Sequence, residues 1–170
     1  MKYLTVEQIK ALLEAHNKMP ERLLFRILYF TGCRVSEALS IRPKDIDTQR
    51  RIITVPALKI ERKSKLVVVD GVTLAMLKVY TRGMDKDKLI FPYTRWHAWE
   101  IVRKAGKKVG IDGLHPHVLR HSFAVHWASA GGDLLKLQRQ LGHKRLSTTT
   151  DTYIQYASED IKKEYDKIFR

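Results

Sequence analysis

Five short segments of the 170-residue chain carry side chains that could act together on a phosphate ester. They are Thr31-Gly32-Cys33-Arg34-Val35-Ser36-Glu37-Ala38-Leu39, the lysine-rich stretch around Lys59, His117-Val118-Leu119-Arg120-His121, Leu141-Gly142-His143, and Thr152-Tyr153. A guanidinium keeps its proton and offers planar, paired donors to the oxygens of an anion. Imidazoles exchange protons near neutral pH. A phenol has an unperturbed pKa of ~10, so it becomes a nucleophile when a positive field or a base acts on its proton. A phosphodiester is already anionic and gains charge on its non-bridging oxygens when attacked. Fixed donors aimed at that developing charge are worth a few kcal/mol each. An ester between phosphate and a phenol conserves the energy of the phosphate ester it replaces, so reversing the transfer needs neither ATP nor metal.

The order Arg, Lys, His-x-x-Arg, His, Tyr resembles the phage-integrase or tyrosine-recombinase family. So does the gap of ten from His143 to Tyr153. Any one segment alone is a weak signal; the set in this order is specific, and it runs from Tyr3 to about Ala157. The resemblance implies that Arg34 and Arg120 hold the phosphate and that His143 is its third donor. It makes Tyr153 the nucleophile, leaving a 3′-phosphotyrosyl bond and a 5′ hydroxyl, and His117 the group that moves the phenol proton. A hairpin lysine would be the general acid for the departing oxygen. Lys59, at the end of the first strand, fits that place, and Lys63 fits if the hairpin pairs in another register. Glu37, three residues after Arg34, would orient its neighbours.

Other readings of these residues carry less. His117 and His121 have the i, i+4 spacing of zinc ligands, but no Glu lies between them as in a zincin and Cys33 is the only thiol. No metal or other cofactor is expected. Tyr156 competes with Tyr153 but is out of the family register. His126, Trp127, Trp96 and Trp99 are expected in core or helix packing, and Cys33 as a small buried hydrophobe.

Lys and Arg number 32 against 18 Asp and Glu, a net charge of +14 that exceeds what solubility needs and points to a polyanion. The expected partner is double-stranded DNA rather than a membrane, since no amphipathic anchor, lipidation signal, signal peptide or membrane-length apolar run is present. Arg62, Lys63 and Lys65, then Arg103, Lys104, Lys107 and Lys108, then Lys144 and Arg145 are the candidate phosphate contacts, with Lys136 and Arg139 beside them. A single cysteine excludes an internal disulfide and suits a cytoplasmic setting.

The elements that must position these groups read as mostly helical. Thr5 and Gln8 predict a capping box ahead of Ile9, Leu12 and Leu13. Helices follow from Pro20 to Phe30, Val35 to Leu39, Gly71 to Tyr80, Thr94 to Val109, Pro116 to Ala130, Leu134 to Leu141, Thr148 to Tyr156 and Glu159 to Phe169, with Asp133 and Ser158 as N-caps. Arg51–Val55 and Leu66–Val69 read as a hairpin and Leu89–Phe91 as a short third strand. The expectation is one α+β domain over residues 1–170: a helical catalytic domain with a small antiparallel sheet, tyrosine-recombinase-like.

Members of that family carry a further N-terminal DNA-binding domain, and here the chain starts almost at the first catalytic-domain helix. The resemblance therefore implies a fragment or a minimal form that binds weakly, with strong salt dependence and little sequence preference. It also implies a monomer in free solution, a tetramer on recombining DNA, and a C-terminal helix able to exchange between protomers. The activity expected is strand cleavage and rejoining in site-specific recombination or integration. The alternatives are a non-catalytic DNA-binding module and a topoisomerase-like relaxing enzyme.

Overall fold

The computed structural model describes residues 3–57 and 64–143. Helix α1 (Val6–Glu14) opens on the capping box expected of it: Gln8 N–H donates to Thr5 Oγ1 at 3.2 Å and Thr5 N–H to Gln8 Oε1 at 2.9 Å. Helix α2 (Met19–Phe30), with Pro20 in its first turn, buries Leu23, Leu24, Phe25, Ile27 and Leu28. Each such side chain removed from water contributes about 1.5–3 kcal/mol. That apolar girth makes α2 the central helix. Around it pack α1, the short α3 (Val35–Leu39), α4 (Gly71–Tyr80) and α6 (Pro116–Ser129).

Asp70 fastens α4 to α2. It caps α4 by accepting from Thr73 N–H at 3.0 Å, and it receives Arg26 Nη2 at 2.6 Å. Helix α5 (Arg95–Lys108) is capped by Thr94 and buries Ala98, Ile101, Val102 and Ala105. Gly106 lets α5 approach closely: a Cβ there would sit 2.6 Å from the Ile111 carbonyl oxygen. Helix α7 (Leu134–Leu141), capped by Asp133, closes a second core of Ala124, Val125, Ala128, Leu137 and Leu141 against α6.

Between α3 and α4 lies a three-stranded antiparallel sheet, β1 (Ile46–Asp47), β2 (Ile52–Val55) and β3 (Lys65–Val68), in that spatial order. The register sets Val55 opposite Lys65 and Ile52 opposite Val68. Ile53, Val55 and Val67 face the core, while Leu66 and Val68 are exposed. The outer edge of β3 is met by Gln140 of α7. Its Oε1 accepts from Val68 N–H at 3.1 Å, and its Nε2 donates to the carbonyls of Val68 at 3.0 Å and Thr31 at 3.3 Å.

The expected hairpin is present, and β1 extends it into a sheet. Leu89–Phe91 is not a strand: Ile90 donates one hydrogen bond to the Ile41 carbonyl at 3.0 Å, and Ile90 and Phe91 plug the core. Two apolar side chains in a row give the composition of a strand, but here both are swallowed by the interior. The helices expected over Thr148–Tyr156 and Glu159–Phe169, and the cap at Ser158, lie outside the described residues. Among the described residues no helix is long and apolar enough to cross a membrane.

Candidate active site

Arg34 is the residue from which α3 departs. Its backbone N–H donates to Glu37 Oε2 at 2.8 Å and its Nη1 to Glu37 Oε1 at 2.9 Å. Lys65, the first residue of β3, donates from Nζ to the same Glu37 Oε2 at 2.8 Å and to the Leu141 carbonyl at 3.3 Å. Burial works against the charge of Glu37, but the ammonium of Lys65 and the N–H groups of Arg34 outweigh it and hold the carboxyl below its usual range. Glu37 is thus the anionic anchor between a helix start and a strand start.

Lys65 is therefore not part of a solvated hairpin face. The expectation that it belongs with Arg62 and Lys63 as a surface phosphate contact is corrected: its side chain is 15% exposed and turned inward. Strand alternation explains this. Lys65 shares the inward face with Val67, and Leu66 and Val68 take the outward one.

Arg120 ties together three segments far apart in sequence. It is buried on α6 and donates to the carbonyls of Gly32, through Nη1, and Leu141, through Nη2 at 3.1 Å. The same Nη2 lies 2.8 Å from His143 Nε2. An arginine can only donate, so that nitrogen of His143 accepts and the ring is neutral with its proton on Nδ1. Burial, with the charges of Arg120, Arg34 and Lys65, lowers the His143 pKa to about 4.

Two glycines make this convergence possible. Gly32 has φ +64°, and a Cβ there would lie 2.7 Å from both Leu141 Cδ2 and Phe123 Cδ1. Gly142 ends α7 with φ +68°, turning the chain so that His143 comes back onto Arg120, and a Cβ there would be 2.9 Å from Lys65 Cδ.

His117, in the first turn of α6, is exposed and borders a groove of about 710 Å³ with Arg34, Arg95, Trp96, Trp99 and His115. Burial and the charges of Arg120, His115, Arg34 and Arg95 lower its pKa, leaving a neutral imidazole that can accept a proton. Cys33 is wholly buried and burial pushes its thiol up, away from reactivity.

Of the expected site residues, the structure brings Arg34, Glu37, Arg120, His117 and His143 into one electrostatic neighbourhood. Lys59, Arg62, Lys63, Lys144, Arg145 and Tyr153 lie outside the described residues, as does Tyr156. Lys104, Lys107, Lys108, Lys136 and Arg139 are exposed. Arg103 is half-buried, with its guanidinium 5.3 Å above the Trp99 ring.

One packing expectation fails. Trp96 is 67% exposed, because α5 buries the stripe of Ala98, Ile101, Val102 and Ala105 instead. Trp127 and His126 pack as expected: Trp127 Nε1 donates to the Asp133 carbonyl at 3.1 Å, and His126 Nδ1 lies 2.7 Å from the Tyr29 hydroxyl. Arg95 and His115 were missed from sequence, and Lys65 was named there as a phosphate contact rather than as the partner of Glu37. Only Lys65 carried a signal, in the phase of its strand.

Residues 2–160 match the Phage integrase family. The chain belongs to that family. Tyrosine recombinase XerA of Saccharolobus solfataricus is 34% identical over 160 residues, which cover 94% of this chain and 54% of that protein. The crystal structure of XerA recombinase superposes with a TM-score of 0.77 at 27% identity, over 99% of this chain and 63% of that one. The catalytic domain of bacteriophage HP1 integrase gives a TM-score of 0.76 at 26% identity, over the whole of this chain and 95% of that domain. The integrase-family chain thus spans little more than half of the XerA relative and nearly all of the isolated HP1 catalytic domain.

Proposed function

We propose that residues 1–170 form the catalytic domain of a tyrosine recombinase that cuts and rejoins double-stranded DNA. The observation that carries this reading is the convergence of Arg34 at the start of α3, His117 and Arg120 of α6, and His143 beyond the end of α7 around one positive centre tied by Glu37. Family membership and the net charge of +14 support DNA as the substrate.

In this reading the guanidiniums of Arg34 and Arg120 and the Nδ1–H of neutral His143 face the non-bridging oxygens of the scissile phosphate. The phenolic oxygen of Tyr153 attacks phosphorus and its proton passes to His117. The bond from phosphorus to the 5′ oxygen breaks, and a lysine of the β2–β3 connection, Lys59 or Lys63, protonates that oxygen. A 3′-phosphotyrosyl bond and a 5′ hydroxyl result. Attack by a 5′ hydroxyl on the tyrosyl phosphodiester reverses each transfer and reseals a strand. Glu37 and Lys65 touch none of the reacting atoms; they fix Arg34.

The same proposal includes a cytoplasmic protein that is monomeric when free, assembles as a tetramer on recombining DNA and can exchange its C-terminal helix.

The test is covalent capture on nicked duplexes whose cleaved end diffuses away, read after denaturation and in the presence of chelator. The wild-type chain is expected to carry linked DNA and Tyr153→Phe none. Capture by Tyr153→Phe would remove the nucleophile from Tyr153. A wild type that binds these duplexes but never links to them would overturn the enzymatic reading.

A further inference from the structure

The groove beside Arg34 has a wall that the cleavage chemistry leaves unused. Trp96 has the highest exposure among the described large apolar side chains, at 67%. It is not a loose side chain: its ring stacks on Trp99 with centroids 5.5 Å apart and planes 15° from parallel. Arg103 lies over the Trp99 ring at 5.3 Å. The indole of Trp96 is thus the terminal tier of a pre-ordered stack, with helix α5 fixing its root through the buried Ala98, Ile101 and Val102. Such a surface loses little side-chain freedom when a planar partner covers it.

The rest of the groove defines that partner. Its lining holds Arg34, Arg95, His115 and His117, and no carboxylate. A planar face in a field of guanidiniums selects a planar group attached to phosphates. Within a duplex, base faces are covered by their neighbours, so only an unstacked base can meet an indole face to face. Arg34 and His117 also belong to the proposed phosphate centre, so a base seated here is close along its strand to the scissile phosphate.

We propose that Trp96, backed by Trp99, is a stacking platform for an unpaired nucleobase next to the scissile phosphate. This rests on the functional reading above and adds to it a means of retaining the freed strand end. Cleavage leaves the 5′ hydroxyl strand with no covalent hold on the protein. A base stacked on Trp96 keeps that end beside the tyrosyl phosphodiester until resealing.

The test measures binding of the full chain, by fluorescence anisotropy, to a short single-stranded thymidine oligonucleotide and to an abasic strand with the same number of phosphates. The wild type is expected to prefer the base-bearing strand by on the order of tenfold, the scale of one base–aromatic stack. Trp96→Ala is expected to bind both strands as weakly as the wild type binds the abasic one, and Trp96→Phe to keep most of the preference. Equal affinities of the wild type for the two strands, or a preference that survives Trp96→Ala, would overturn the platform.

Covalent capture on nicked duplexes, run with the same preparations, separates the two ideas. Capture without base preference removes the platform and leaves the enzyme. Base preference without capture removes the enzymatic reading and leaves a base-binding surface.

Discussion

At the scale of single residues, the site is a set of groups held in chosen protonation states. His143 accepts from Arg120 and has a pKa of about 4, so it is neutral across the physiological range. NMR titration of its ring should show no protonation between pH 8 and pH 5 in the free protein. A bound phosphate brings negative charge to the same place, so the titration should move upward on addition of DNA. An unchanged midpoint would place the phosphate elsewhere.

The consequence for stability has a definite sign. An unfolded histidine takes up its proton near pH 6.5, while folded His143 resists until about 4. As pH falls through that window the unfolded chain binds more protons, so stability is full above it and is lost on the way down. His16, His117, His121 and His126 are lowered in the same direction. Urea midpoints at pH 7 and pH 5 should therefore differ, with the lower midpoint at pH 5.

Lys65 gives the complementary prediction. Lys65→Met strips Glu37 of its strongest partner and leaves a half-compensated buried carboxylate, at a cost of about 3 kcal/mol. Denaturant unfolding measures it, and a loss below 1 kcal/mol would show that Arg34 alone satisfies Glu37. At this scale the sequence was legible wherever a motif names its residue, as with Arg34, His117, Arg120 and His143. It was poorly legible at Lys65, whose partners lie 28 and 76 positions away.

At the scale of elements, the turns carry as much of the site as the helices do. Gly32 combines a left-handed backbone with contact against Leu141 and Phe123, and its carbonyl receives Arg120. Gly32→Ala should cost about 1–2 kcal/mol in backbone strain and a similar amount in overpacking. Gly71→Ala is the matched control, since a Cβ there meets nothing within 4 Å and the backbone is already helical. Thermal melting should lower the midpoint of the first variant and leave the second near the parent.

Helix α5 shows why element positions are easier to read than element faces. Thr94 announces its start, and the expected Thr94–Val109 differs little from Arg95–Lys108. Its buried side is decided by two alanines and Gly106, which allow close approach, and that steric choice leaves the bulky Trp96 outside. Strand β1 was unreadable because a two-residue strand has no period to detect.

At the scale of the whole molecule, the positive charge sets how binding responds to salt. Released counterions make the logarithm of the association constant fall linearly with the logarithm of salt concentration, with a slope of about −0.9 for each phosphate neutralised. If α5 meets the backbone, Lys104→Gln and Lys107→Gln should each flatten that slope by about one. An unchanged slope in both would assign these lysines to solvation. The charge was plain in the sequence, whereas its distribution depends on which lysines the fold turns inward.

Gln140 bears on how the molecule can meet copies of itself. By occupying both polar groups of Val68 it puts a side chain where another strand would add to β3. The outward Leu66 and Val68 would otherwise make β3 an open, apolar template of the kind that seeds fibrils. One amide from α7 thus shields a sticky strand from adding another, so that the tetramer proposed on DNA would have to form through surfaces outside the sheet.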